Sequence, residues 1–236
     1  MHSCAAVSSA TDKVTVRAHG RNPTEQEDQR AVPSEAVVFD LGGVLIDWDP
    51  RYLYRKLFRD EAAVEEFLAT VATPEWNAEQ DRGRPFADAV AELAARHPAK
   101  AAAIAAYHQR WREMLGGDIP GTVALLDELR AAGVPVYALS NWSAETFPLA
   151  RERFPFLAWF DGLVISGEER LAKPDRRIFE LLLDRFGLTP AATVFVDDSA
   201  ANVAAAGAVG LDAVLFRDAA RLRRDLTARG LLDGEG

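Results

Sequence analysis

"AVVFDLGGVLIDWD" occupies residues 36–49. Its first four residues, Ala36, Val37, Val38 and Phe39, make an apolar run without alternation, the pattern of a strand buried on both faces. The run stops on an acid, Asp40. Two glycines follow, Gly42 and Gly43, then Val44, Leu45 and Ile46, then two further acids, Asp47 and Asp49. A carboxylate ending a buried strand is unfavourable unless something pairs with it. The glycines predict a sharp turn whose backbone can approach a ligand with no side chain in the way.

Runs of the same kind recur as VPVYALS (134–140), DGLVIS (161–166), ATVFVD (192–197) and LDAVLF (211–216). Helical patterns lie between them. PGTVALLDELRAAG (120–133) has Pro near its start and Gly at its end, the asymmetry expected of a helix. SAETFPLARERF (143–154), PDRRIFELLLDRFG (174–187) and SAANVAAAGAVG (199–210) fill the remaining gaps. Strand alternating with helix predicts an α/β fold: a Rossmann-like parallel sheet with helices on both faces.

Residues 50–118 break this rhythm, with no strand pattern and four expected helices: RYLYRKLF, EAAVEEFLAT, FADAVAELAARH and PAKAAAIAAYHQRWREML. So long an insert is more than a crossover needs, and it reads as a helical cap over the carboxyl ends of the strands, where open parallel sheets bind ligands. The expected organisation is a core of residues 34–49 and 119–236 with a cap of residues 50–118. Residues 1–33 are polar and aperiodic and are expected to be a disordered tail, although TDKVTVRA within them has a short strand pattern. A start assigned upstream of the true one would look the same.

Composition narrows the function. The chain has 236 residues, 49% hydrophobic and 27% charged, with a net charge of −9. That balance argues against nucleic acid or an anionic membrane as the partner, since both reward basic patches, but leaves room for a small anionic substrate at a local positive site. The single cysteine, Cys4, excludes an internal disulfide and suits a reducing compartment. With no membrane-length apolar run and no basic-then-apolar leader, the expectation is a cytoplasmic protein, a monomer or homodimer.

The strand ends collect the chemistry. The first ends at Asp40, the second at Ser140-Asn141, and the fourth at Asp197-Asp198; Lys173 precedes Pro174 after the third. Side by side on a parallel sheet, these ends form one pocket with three carboxylates, a hydroxyl, an amide and an ammonium. Clustered carboxylates repel, and a divalent cation resolves the repulsion; oxygen ligands suit Mg²⁺. A metal with donors around an oxyanion is the equipment of phosphoryl transfer, and one carboxylate can serve as nucleophile.

These motifs resemble the haloacid dehalogenase superfamily of hydrolases, in the subgroup with a helical cap after the first strand. FDLGGVLID, LSN (139–141), Lys173-Pro174 and VDDSAAN (196–202) match the four family motifs in order, over roughly residues 36–220. The resemblance implies Asp40 as nucleophile and metal ligand, with the Gly42 carbonyl as a further ligand. It implies Ser140 and Asn141 as holders of the phosphate or of the nucleophile, and Lys173 as the charge neutraliser. Asp198 is implied to bind Mg²⁺ directly, and Asp197 directly or through water. Gly43 and Trp142 are expected at the phosphate and at the pocket mouth.

One departure stands out. Most phosphatases of the superfamily carry a second Asp two residues after the nucleophile, as general acid and base; here that position is Gly42. Such a group contributes about 10²–10⁴-fold. The branch resembling α-D-glucose-1-phosphate phosphatases also has Gly there, which points to a sugar phosphate whose leaving group needs less protonation. Asp47, Asp49 or a cap residue is the alternative donor. A 2-haloacid dehalogenase also lacks the second acid but needs no metal, and a non-catalytic binding protein is a third reading. In the cap, Tyr107 and Trp111 are expected to pack in the core from one helix face, whereas Trp76, Asn77, Asp81 and Arg82 fall in a break between helices that suits a pocket loop.

Overall fold

A computed structural model describes residues 34–233, so the tail with Cys4 and TDKVTVRA lies outside the described residues. The elements run β1 (Ala36–Phe39), β2 (Ile46–Trp48), α1 (Arg51–Tyr54), α2 (Glu61–Thr70), α3 (Pro74–Asp81), α4 (Phe86–Arg96), α5 (Ala101–Gln109), β3 (Leu115–Asp118) and α6 (Pro120–Ala131). They continue with β4 (Val136–Ser140), α7 (Phe147–Arg153), β5 (Gly162–Ile165), α8 (Ser166–Glu169), α9 (Arg176–Phe186), β6 (Thr193–Asp197), α10 (Ala200–Ala208), β7 (Asp212–Leu215) and α11 (Ala219–Ala228).

Five strands form one parallel sheet in the order β5-β4-β1-β6-β7. The strand that opens the fold is therefore the central one, and β4 and β6 flank it. Neighbouring residues of the buried strands go to opposite faces. Val37, Phe39, Val136, Ala138, Val194 and Val196 join the leucines of α6 and α11 in one cluster. Val38, Leu139, Val164 and Phe195 join Ile178, Phe179 and Leu182 of α9 in the other. This is why the strands read as continuous apolar runs: both faces are dry. Helix ends follow local chemistry, with Asp175 capping α9 and Gly187 closing it in the left-handed conformation at φ 63°.

The insert differs from its expected form in three ways. A two-stranded antiparallel ribbon, β2 with β3, forms its stem, pairing Ile46 with Asp118 and Asp47 with Gly117. The stretch LGGD shows no period of two because two of its residues have no side chain, and only pairing with β2 makes it a strand. Gly116 is needed there, since a Cβ would lie 2.1 Å from Asp47 Oδ2. Second, residues 74–81 are not a break but helix α3, opened by Thr73, whose hydroxyl accepts from the Trp76 amide at 3.2 Å, with Pro74 in the first turn. Its apolar periodicity is faint because only Trp76 and Gln80 are buried. Third, the last expected helix ends at Gln109, and Trp111 sits in a following 3₁₀ turn rather than on a helix face shared with Tyr107.

Helices α1–α5 pack around aromatic rings. Tyr54 lies 4.7 Å from Phe67, and Trp76 meets Tyr107 edge-on at 5.0 Å. Tyr107 is thus a core residue, as its position suggested. Among the described residues, no helix is long and apolar enough to cross a membrane.

Phe179 of α9 meets Phe195 of β6 edge-on at 5.4 Å, and both are fully buried. Phe179→Ala is expected to lower unfolding stability by about 3–5 kcal/mol, read as a shift of the urea midpoint with unchanged slope.

Candidate active site

Because β1 is central, the carboxyl ends of β4, β1 and β6 lie together. Asp40 follows β1, Ser140 ends β4 and Asp197 ends β6. Asp40 Oδ1 accepts from the Leu41 backbone N–H at 2.7 Å and from Ser140 Oγ at 2.9 Å. Its Oδ2 lies 3.0 Å from Lys173 Nζ. Lys173 is buried and also donates to the Leu139 carbonyl at 2.8 Å and to Asp197 Oδ2 at 2.7 Å. One ammonium thus bridges two carboxylates and a carbonyl.

Asp197 is fully enclosed. Its Oδ1 accepts from the Ser199 N–H at 2.8 Å, and the Asn202 amide donates to both oxygens at 3.0 Å. Asp198 is different: it is exposed, and its carboxylate lies over Gly43. A Cβ on Gly43 would be 2.3 Å from Asp198 Oδ2, and the residue has φ +73°, so glycine is required there on both counts. Asp40, Asp197 and Asp198 each offer a carboxylate oxygen, all within 4.8 Å of one another.

Three carboxylates against one lysine leave the site short of positive charge. Burial pushes the Asp40 carboxyl up to about 6, against the pull of Lys173 and with repulsion from Asp197 adding to the rise. Asp198 is also raised: although the residue is exposed, its carboxylate is partly desolvated where it lies over Gly43, and Asp197 adds to the rise. The donor set is all oxygen, which fits a hard divalent cation; the carboxylates' own repulsion is the structural reason to expect one.

The other expected residues divide. Gly42, Asn141 and Trp142 line a cavity beside Asp40 and Ser140, shared with Trp48, Asn77 and Asp81 of the insert and its stem. Trp142 places its ring 5.4 Å from that of Trp111, which also lines the cavity. Asn141 is committed at both ends: its Nδ2 donates to the Lys173 carbonyl at 2.9 Å and its Oδ1 accepts from the Lys173 N–H at 2.8 Å. Asn141 thus clasps the backbone of Lys173 from a position in the cavity lining. Arg82 is exposed and reaches back to the Ala78 carbonyl at 3.3 Å, away from the cavity lining.

Asn202 and Ser166 were not singled out in sequence. Asn202 stands five residues after Asp197, a spacing that places it in the first turn of α10, facing back to the strand end; that signal was readable. Ser166 Oγ accepts from the Trp142 N–H at 2.9 Å and donates to the Asp81 carbonyl at 2.5 Å, a link that only the fold creates.

Comparison with known proteins agrees with this geometry. A family model described as haloacid dehalogenase-like hydrolase matches residues 35–210, and the chain belongs to that family of hydrolases. It is 33% identical over 178 residues to the sesquiterpene phosphatase astK of Aspergillus oryzae, covering 75% of this chain and 87% of that protein. It is 25% identical over 183 residues to a phosphorylated carbohydrates phosphatase of Thermotoga maritima, covering 76% and 83%. Two other relatives are longer proteins of which the chain spans 36% and 9%. The fold matches a HAD family enzyme from Bacteroides thetaiotaomicron, solved with magnesium and inorganic phosphate, at 24% identity and a TM-score of 0.61, covering 78% of this chain and 95% of that one.

The raised Asp40 carboxyl gives a signed expectation for the metal-free protein. Below about pH 4 the group is protonated folded and unfolded, and has no effect. Above that the unfolded chain ionises first, so stability falls as pH rises until the folded group has ionised as well. Urea unfolding in a chelator should show Asp40→Asn gaining on the wild type from pH 4 to 7. Adding Mg²⁺ should raise the wild-type Tm more at pH 7 than at pH 5, because protons and cation compete for the same oxygens.

Proposed function

We propose that this hydrolase is a Mg²⁺-dependent phosphatase that acts on a small organic phosphomonoester through an aspartyl-phosphate on Asp40. The observation that carries the reading is Asp198, an exposed carboxylate within 4.8 Å of the Asp40 and Asp197 oxygens. A metal-free dehalogenase would have to draw a carboxylate substrate into a site already rich in unbalanced negative charge. Asp40, Asp198 and the Gly42 carbonyl are the groups to hold the cation, with Asp197, whose oxygens are engaged within the protein, shaping the site from behind. Bound there, Mg²⁺ would offset the charge of the carboxylates and of a phosphoryl group.

The residues then take distinct parts. Ser140 and the Leu41 amide fix one oxygen of Asp40, so its carboxylate is aimed before the substrate arrives. Attack forms the Asp40 oxygen–phosphorus bond as the phosphorus–leaving-group bond breaks. Water then attacks the phosphorus, and the bond to Asp40 breaks to release phosphate. Lys173 screens Asp40 while Asn141 holds the lysine's backbone.

The cavity favours a substrate with an apolar or flat body, since Trp48, Phe86, Trp111 and Trp142 line it. The similarity to a sesquiterpene phosphatase supports the same class. A sugar phosphate, as the glucose-1-phosphate resemblance suggests, is the second reading. It is favoured by Asn77 and Asp81 in the lining and by the indole N–H groups of Trp48 and Trp142, which have no hydrogen-bond partner among the described residues. A cytoplasmic setting and a monomer or homodimer complete the proposal.

Phosphate release should be measured with Mg²⁺ and with chelator for a sesquiterpenyl monophosphate, glucose 1-phosphate, glucose 6-phosphate and p-nitrophenyl phosphate. Halide release from both enantiomers of 2-chloropropionate runs beside it. Mg²⁺-dependent phosphate release is expected, with Asp40→Asn at background and Asp198→Asn needing more Mg²⁺. Metal-independent halide release with no phosphate would establish the dehalogenase instead.

A further inference from the structure

A phosphatase working through Asp40 needs a proton for the departing oxygen and then a base for the attacking water. Position 42 supplies neither, and a Cβ there would meet nothing within 4 Å. The two acids nearest in sequence are engaged elsewhere. Asp47 Oδ2 accepts from Tyr52 Oη at 2.7 Å, Asp49 Oδ1 accepts from the Arg51 N–H at 2.9 Å, and neither lines the cavity. Among the described residues that line the cavity with Gly42, Asp81 carries the one carboxyl group.

Asp81 is an unexpected residue for its place. It is the last residue of α3, where the helix dipole disfavours negative charge. It is nonetheless held with care. Asn77, one turn earlier and also in the cavity lining, donates to Asp81 Oδ2 at 2.9 Å. The Asp81 carbonyl accepts from Ser166 Oγ, which is tied to the Trp142 amide, the residue two beyond Ser140. The end of α3 is therefore pinned to the loop that carries the Asp40 partner.

We propose that Asp81 is the general acid and base of this site, delivered from the insert in place of a carboxylate at position 42. The assignment rests on the phosphatase reading. As the phosphorus–oxygen bond to the leaving group breaks, the Asp81 carboxyl gives its proton to the departing oxygen. Asp81, now a carboxylate, takes a proton from the water that attacks the aspartyl-phosphate, and is restored when phosphate leaves. Its environment suits both halves. Burial pushes the carboxyl up to about 7, the Asp40 charge adds to the rise, and the Ser143 amide and Arg82 oppose it. Tyr107 of α5 is the other titratable group facing it, and burial keeps that phenol neutral. A group half-protonated near neutral pH can donate and then accept.

The test compares 2-phenylethyl phosphate, whose alkoxide needs a proton, with p-nitrophenyl phosphate, whose phenolate does not. For the first, Asp81→Asn is expected to lower kcat/KM by about 10²–10⁴-fold; for the second, by less than about tenfold. A pre-steady-state burst of nitrophenolate should then appear, because hydrolysis of the aspartyl-phosphate has become slow. In the Asp81→Asn background, Gly42→Asp is expected to restore the alkyl ester by tenfold or more, since a Cβ at position 42 meets nothing within 4 Å. No loss in Asp81→Asn, or equal losses on both esters without a burst, would overturn the assignment and leave the phosphatase reading standing. Failure of the wild type to release phosphate from either ester with Mg²⁺ would overturn both.

Discussion

The ammonium of Lys173 sits within 3.0 Å of both Asp40 and Asp197, out of contact with water. Two buried carboxylates at the ends of adjacent strands would not be tolerated without it, and a buried lysine would not be tolerated without them. The rest of the site is arranged around this triad. Asn141 clasps the lysine's backbone, Asn202 and the Ser199 amide saturate Asp197, and Ser140 and Leu41 hold Asp40. With Asp197 fully engaged, the lysine cannot also cancel Asp198. The remaining charge is the opening for a cation and an anionic substrate.

Sheet topology makes the triad possible. β1 is the first strand among the described residues and lies in the middle of the sheet, so later strands can add on either side of it. Residues 40, 140 and 197 are far apart in sequence and neighbours in space because β4 and β6 both pair with β1. The insert leaves from the same end through the β2–β3 ribbon and returns α3 to the cavity. Its aromatic interior packs against Trp76 of α3, and the Ser166 hydrogen bond ties the end of α3 to the core. A missing side chain on one wall and a carboxyl on the other are then parts of one arrangement.

Much of this was legible beforehand. The parallel strands announced themselves because strands dry on both faces must be apolar at every position. The site residues at their ends announced themselves because polar groups are costly there. What stayed hidden was hidden for physical reasons. LGGD carries too few side chains to show its pairing, and PEWNAEQD buries too few to show its helix, although Thr73 and Pro74 marked its start. Asn141, expected at the phosphate or the nucleophile, lines the cavity and also clasps the backbone N–H and carbonyl of Lys173, a contact between segments 32 residues apart that no local pattern shows.

The sequence by itself determined the class of fold, the family and the set of strand-end residues, since these depend on local pattern and on spacing along the chain. The tertiary structure alone decided how charge is shared among Asp40, Asp197 and Asp198, which acids near the nucleophile are free, and that Asp81 meets the cavity. Those outcomes depend on burial and on contacts between distant segments, and neither is encoded in any one stretch of residues.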